Sequence, residues 1–257
     1  MTDILREDRG RVRVLSLNRP PSNSLTLSLL DAVFSEVTAA AADPGVRCVV
    51  LASTSPKYFS SGLDLDEMLA LPAAGRITFF EKMIRTHRLL ASCGKPTVAA
   101  IEGTAFLGGF ILALGCDWRL MCEPTGRVAL SEVRLGLSPT SALVRLVMGL
   151  TGRPGLVKDL VLRGATLRAP EAYEAGIVDR LLPAEGFKEE AVREAERLAK
   201  LAPAAYASIQ RSVRVALMGD EDALWDSALR EFVAILAGAE AQEGMLAMKE
   251  KRKPRWE

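Results

Sequence analysis

Twelve residues, Gly103-Thr-Ala-Phe-Leu-Gly-Gly-Phe-Ile-Leu-Ala-Leu114, constrain the fold more than any other stretch. An extended apolar run, Thr97-Val-Ala-Ala-Ile101, precedes them, and Gly108-Gly109 open a short apolar helix. Adjacent glycines at a helix start leave backbone N–H groups open to a ligand, with no side chain in the way. Those groups also sit at the positive end of the helix dipole. A second glycine turn, Phe59-Ser-Ser-Gly-Leu-Asp-Leu65, follows the strand-like Cys48-Val-Val-Leu51 in the same way. Two such turns can aim two N–H groups at one oxygen, an oxyanion hole built from backbone.

Bulk properties narrow the classes. The 257 residues suffice for one large domain, or a domain with a small appendage. A formal net charge of +1 supplies no field for nucleic acid or an anionic membrane, and neither is expected as a partner. The longest nearly uncharged run, Gly103 to Cys116, is too short to span a bilayer. Residues 1–10 mix Asp3, Glu7 and Asp8 with Arg6 and Arg9, unlike a secretory signal or a transit peptide, so cytoplasmic residence is expected. Cys48, Cys93, Cys116 and Cys122 form no CxxC pair, and with His87 as the lone histidine no zinc site is expected. Cys48 and Cys116 read as reduced core residues. His87, among Lys82, Arg85 and Arg88, reads as part of a solvated helix face.

Strands and helices alternate at first, and helices then follow alone. Val12–Leu17 alternates as a strand; Thr26 to Ala42 carries Leu29, Leu30, Val33 and Val37 at helical spacing and ends at Asp43-Pro44-Gly45. Strand-like Arg47–Ala52, the first glycine turn and a short helix at Asp66–Ala70 come next. Pro72-Ala73-Ala74-Gly75 is read as a break before a helix from Ile77 to Ser92. Arg127–Leu130 reads as a further strand leading into Ser131-Glu132. Beyond Thr140 helices are expected at 141–150, 154–162, 169–175, 186–202, 204–217 and 221–251, with one late strand at 177–182. The division implied is a core with the site over residues 1–200 and a helical subunit-packing region over 201–257.

The glycine turns match no nucleotide or nucleophile motif. Gly103, Gly108 and Gly109 lack GxGxxG spacing, no GK[ST] opens the helix, and no GxSxG is present. What remains is polarisation of a carbonyl by backbone N–H groups, with a carboxylate moving protons.

With these motifs in hand, the chain resembles the crotonase family, also called the enoyl-CoA hydratase/isomerase superfamily. The similarity rests on Phe59-Ser-Ser-Gly-Leu-Asp-Leu65, Gly108-Gly109 with Cys116-Asp117, Ser131-Glu-Val-Arg-Leu-Gly136 and Ala175-Gly-Ile-Val-Asp179, and runs from Leu17 to Lys253. It implies an α/β fold, a spiral of β-β-α turns with a C-terminal helical trimerisation region, assembled as a homotrimer or homohexamer. It also implies that the N–H groups of Leu63 and Gly108 hold the thioester oxygen of an acyl-CoA substrate, and that no separate cofactor is needed. Ser61, Gly62, Asp64 and Gly109 would line the CoA site, Lys57 would meet a phosphate, and Phe232 and Lys251 would reach in from a neighbouring subunit.

Hydratases of that family use two glutamates. Here the first such position is Ile111 and the second is Glu132. Water addition calls for two carboxylates to share one water; moving a double bond from C3 to C2 calls for one. The resemblance therefore points to a 3-enoyl-CoA isomerase of fatty acid metabolism, with Glu132 as proton shuttle and the closest motif match in the short-chain Δ3,Δ2-enoyl-CoA isomerases. A hydratase, dehydratase or decarboxylase of another CoA thioester, and a non-catalytic binding protein, stay open as alternatives. Glu102, beside a glycine turn, is a candidate replacement for the absent acid, and Leu107 stands where the family's turn has a glycine. Asp64 is expected to cap the helix after it and Asp117 to brace the strand after the Gly108–Gly109 helix. Phe80, Phe106, Phe110 and Met148 are candidate walls for the acyl chain.

Overall fold

The computed structural model describes residues 2–256. Strands β1 (Ile4–Arg9) and β2 (Val12–Leu17) make an antiparallel hairpin, and helix α1 (Leu27–Ala42) follows. Next come β3 (Cys48–Ser53), β4 (Tyr58–Ser60), α2 (Leu65–Ala70) and α3 (Ala73–Ser92). The pattern repeats as β5 (Thr97–Ile101), β6 (Thr104–Phe106) and α4 (Gly108–Gly115), then as β7 (Trp118–Cys122), β8 (Arg127–Ala129) and a 3-10 turn, Glu132–Leu135. Helices α5 (Thr140–Thr151) and α6 (Pro154–Leu162), strand β9 (Thr166–Arg168), α7 (Ala169–Glu174) and β10 (Arg180–Leu182) lead to α8 (Phe187–Leu198) and α9 (Pro203–Met218). The chain closes on α10 (Glu221–Leu236) and α11 (Ala239–Lys249).

Each β-β-helix turn gives one strand to each of two sheets. The larger has the order β1-β2-β3-β5-β7-β10 and the smaller β4-β6-β8-β9. Successive turns pair in parallel, Val49 with Thr97 and Val98 with Trp118 in the first sheet, Tyr58 with Thr104 and Phe106 with Ala129 in the second. This is the spiral expected from the motifs. The central strands β3 and β5 of the larger sheet are covered on both faces, so they read as nearly unbroken apolar runs. Val49, Leu51, Ala99 and Ile101 point to the main core, whereas Cys48, Val50, Val98 and Ala100 face Phe187, Ala191 and Val192 of α8. Cys48 and Cys116 are buried free thiols, as expected.

Four expectations are corrected. Ala73-Ala74-Gly75 does not break the chain: α3 begins at Ala73, with Pro72 just outside it, because proline is tolerated where no intrahelical N–H is needed. His87 is fully buried, since Phe79, Phe80, Met83, Thr86, His87 and Leu90 share one inward stripe of α3. The helical region 221–251 divides at Ala237-Gly238, and the late strand shortens to Arg180–Leu182.

The C-terminal helices fold back over their own chain. Helix α10 packs on α5 and α3, and α11 lies across α2 and the 3-10 turn. A Cβ on Gly244 would stand 2.3 Å from the Leu135 carbonyl, and one on Gly136 would stand 2.4 Å from the Glu240 oxygen. Backbone therefore meets backbone where α11 crosses the turn that carries Glu132.

Candidate active site

Two glycine turns abut at the ends of β4 and β6. Gly62 has φ +94, and a Cβ there would stand 2.7 Å from Leu107 Cβ and 3.3 Å from the Gly108 nitrogen. Gly109 lies against the Ser60 carbonyl, where a Cβ would stand at 2.5 Å. Flanking hydrogen bonds fix both turns. Leu25 N–H donates to Gly62 O (2.7 Å), Asp64 N–H to Leu25 O (2.9 Å) and Leu107 N–H to Ala129 O (3.0 Å). The N–H groups of Leu63 and Gly108 donate to no other group among the described residues. They are free donors at the two turns.

Leu63 and Gly108 line one cavity with Glu132. Its remaining wall is apolar: Phe80, Met83, Ile84, Leu107, Ile111, Leu137, Leu143, Trp225 and Phe232, with Ser138, Pro139 and Thr140 at one side. The Glu132 side chain is buried, and neither carboxylate oxygen has a hydrogen-bond partner. Burial pushes its pKa up to about 7, against a smaller lowering by its own backbone N–H. The cavity is narrow, about 30 Å³, room for one or two waters. Phe80 and Phe232 close it, with ring centroids 3.6 Å apart.

A larger cleft of about 340 Å³ lies between the end of α4 and α9. Asp117, one of two acids in it, accepts from Thr97 N–H (3.1 Å), the Tyr206 hydroxyl (3.0 Å) and Gln210 (2.7 Å). That carboxylate ties β5 to α9, which corrects the expectation that it braces the strand after α4, because Tyr206 and Gln210 of α9 reach its side chain.

The other predicted residues distribute as follows. Asp64 caps α2 by accepting from Glu67 N–H (3.0 Å), and it also accepts from the Ser24 hydroxyl and pairs with Arg19 (2.8 Å). Burial pushes its pKa up, but these three partners outweigh it and hold the carboxyl below its ordinary value. Ser61 bonds Ser22 through backbone (3.0 Å) and hydroxyl (3.0 Å) beside the first turn. Lys57 and Lys251 are exposed and outside the cavity. Phe232 corrects the expected contribution from a neighbouring subunit: it packs against Phe80 of its own chain, because α10 folds back over α3. Glu102 does not reach the cavity and pairs with Lys188 (3.7 Å). Of the expected wall residues only Phe80 lines it; Phe110 is on the core side of α4, and Phe106 and Met148 are half-buried elsewhere.

Sequence reasoning missed Met83, Ile84 and Trp225, whose signal was helical spacing from Phe80 and Phe232. It also missed Leu137 and Leu143, which carried none; Ser138-Pro139-Thr140 was marked only by its difference from the isomerase sequences that the chain resembles. His87 joins the site from behind: its Nδ1 donates to the Ile111 carbonyl (2.8 Å), and the ring packs edge-on to Trp225. Burial, then the charge of Arg214, pushes its pKa down to about 4, so it braces α4 as the neutral ring.

Two unengaged amides and one desolvated carboxyl on an apolar cavity form an arrangement that can stabilise an oxyanion and move a proton. A family model described as enoyl-CoA hydratase/isomerase matches residues 7–257, and the chain belongs to that family, the crotonase superfamily. A carnitinyl-CoA dehydratase of Salmonella arizonae is 32% identical over 100% of this chain and 99% of its own. A Thermus thermophilus protein named as an enoyl-CoA hydratase is 36% identical, covering 97% and 98%. Among solved structures, human mitochondrial delta3-delta2-enoyl-CoA isomerase superposes with TM-score 0.89 at 25% identity, covering 97% of each chain.

Proposed function

We propose that the protein isomerises 3-enoyl-CoA to trans-2-enoyl-CoA. The observation that carries this reading is that Glu132 is the one acid among the described residues lining the cavity, which it shares with Leu63, Gly108 and the hydrocarbon of Ile111. Ionised Glu132 takes a proton from C2, and the electrons of that bond pass into the thioester as a dienolate. The negative oxygen is held by the N–H groups of Leu63 and Gly108, each worth roughly 3 kcal/mol in comparable sites. Protonated Glu132 then returns the proton to C4, leaving the double bond at C2. A base poised near neutrality suits both halves of the transfer. The step as written needs no metal and no electron acceptor. Ser61, Gly62, Asp64 and Gly109 form the edge along which CoA is proposed to lie, with Lys57 and Lys251 as phosphate partners. The three- or six-fold assembly of the family belongs to the same proposal.

The relatives named as hydratases and dehydratases favour a second reading, hydration of a 2-enoyl-CoA. Against it stands Ile111, which cannot hold a water. Incubation with 3-enoyl-CoA and, separately, with 2-enoyl-CoA decides between them. Hydroxyacyl-CoA formed as fast as the double bond migrates would overturn the isomerase reading. Glu132→Gln should bind acyl-CoA and lose at least about 100-fold in turnover; unchanged turnover removes Glu132 from the mechanism.

A further inference from the structure

The cavity holds one more polar group that the double-bond shift does not use. Thr140 is 6% exposed, and its hydroxyl has no hydrogen-bond partner. It sits at φ +71, a backbone conformation that a β-branched residue rarely adopts. The Thr140 N–H is turned back to the Ser138 hydroxyl oxygen (3.0 Å), which fixes the turn between Leu137 and α5. Ser138 lines the same cavity beside it. A buried hydroxyl without a partner costs about 1–3 kcal/mol, and the positive φ adds a cost of similar size. A valine would fill the same space without the first of these costs.

We propose that the Thr140 hydroxyl, with Ser138 beside it, anchors an uncharged oxygen on the acyl chain of the substrate, so that the preferred thioester carries a hydroxyl or oxo group beyond the double bond. The inference rests on the acyl-CoA reading of the cavity. Thr140 can donate to an oxo group or both donate to and accept from a hydroxyl. A carboxylate does not fit, because no lysine or arginine lines the cavity and Glu132 already brings a negative charge. The remaining wall is hydrocarbon, so an oxygen placed anywhere else along the chain would be desolvated without compensation.

Binding of saturated thioesters tests this without turnover. Calorimetry compares hexanoyl-CoA, its 4-, 5- and 6-hydroxy analogues and adipoyl-CoA, on the wild type, Thr140→Val and Thr140→Ser. For at least one hydroxy analogue, the affinity relative to hexanoyl-CoA should fall about tenfold in Thr140→Val and stay within about twofold of wild type in Thr140→Ser. Adipoyl-CoA should bind more weakly than that analogue. A ratio that Thr140→Val leaves unchanged for every analogue overturns the inference alone, as does tighter binding of adipoyl-CoA. Failure of all the thioesters to bind removes the acyl-CoA reading and this inference with it.

Discussion

Glu132→Gln separates the energetic cost of the site from its chemistry. The carboxyl titrates near 4.5 when free and about 7 in the fold, because burial penalises the anion. The folded value is the higher one. Its stabilising contribution is therefore complete below about pH 4.5, declines as pH rises through the folded value, and is gone above about pH 7. At about 1.4 kcal/mol per pH unit, the loss comes to roughly 3 kcal/mol by pH 8. Glutamine has no such titration. The stability of the variant relative to wild type should therefore climb by roughly 3 kcal/mol between pH 4.5 and 8, about 6–12 °C in Tm for a chain of this size. His87 contributes with the opposite sign, losing stability as pH falls from 6.5 toward about 4. It is common to both proteins and cancels in the difference. Urea or thermal unfolding of the pair across this range supplies the assay. A difference flat to within about 0.5 kcal/mol would refute the claim that Glu132 is desolvated and unpaired.

Three further outcomes follow from the same geometry. The value of kcat/KM for double-bond migration should rise with pH to a plateau through an inflection near 7, as Glu132 ionises to act as the base; a profile flat from pH 5 to 8 would contradict it. Ile111→Glu places a second carboxylate on the cavity wall and should raise hydration of 2-enoyl-CoA at least about tenfold relative to isomerisation, read from the hydroxyacyl product. Gly244→Ala forces a Cβ onto the Leu135 carbonyl, and should cost roughly 1–3 kcal/mol while shifting the kcat/KM inflection toward the ordinary glutamate range. Unchanged Tm and inflection in that variant would show that α11 does not fix the Glu132 turn.

What was legible in the sequence was what chemistry writes locally. The glycine turns at 62 and 108–109 stand out because close backbone approach leaves few alternatives, whereas Glu132 and Ile111 are singled out by the family resemblance and not by any local pattern. The paired-sheet strands were partly hidden. Strand β1 is an edge strand whose exposed Leu-Arg-Glu-Asp-Arg side chains carry no apolar period, and it is held by backbone pairing to β2. Strands β4, β6 and β9 have three residues each, too few for a period to show. His87 was masked by charged neighbours on the opposite face of α3, although its spacing from Met83 and Leu90 placed it inward. Phe232 meeting Phe80, and Thr140 sharing a cavity with Glu132, depend on how distant elements pack, and no local pattern encodes that.

Several unfavourable features of this molecule collect around one cavity. Leu107 has φ +50 and Thr140 φ +71, while Glu132 and Thr140 carry buried oxygens with no partner. Each would relax if its segment could move by an ångström or two, toward water or toward a commoner backbone conformation. The glycine contacts prevent this from three sides. Gly62 seats the first turn on Leu107, Gly136 seats the 3-10 turn on Glu240, and Gly244 seats α11 on Leu135. Because these are close approaches of backbone to backbone or Cβ, no rotamer change could make room for a side chain at these glycines, and α11 stays seated on the turn that carries Glu132. The well-packed parallel sheets beneath supply the stability that offsets the strain. A carboxyl kept dry, next to amides kept free, is an arrangement that folding alone would not favour, and its persistence is the physical reason for placing the chemistry there.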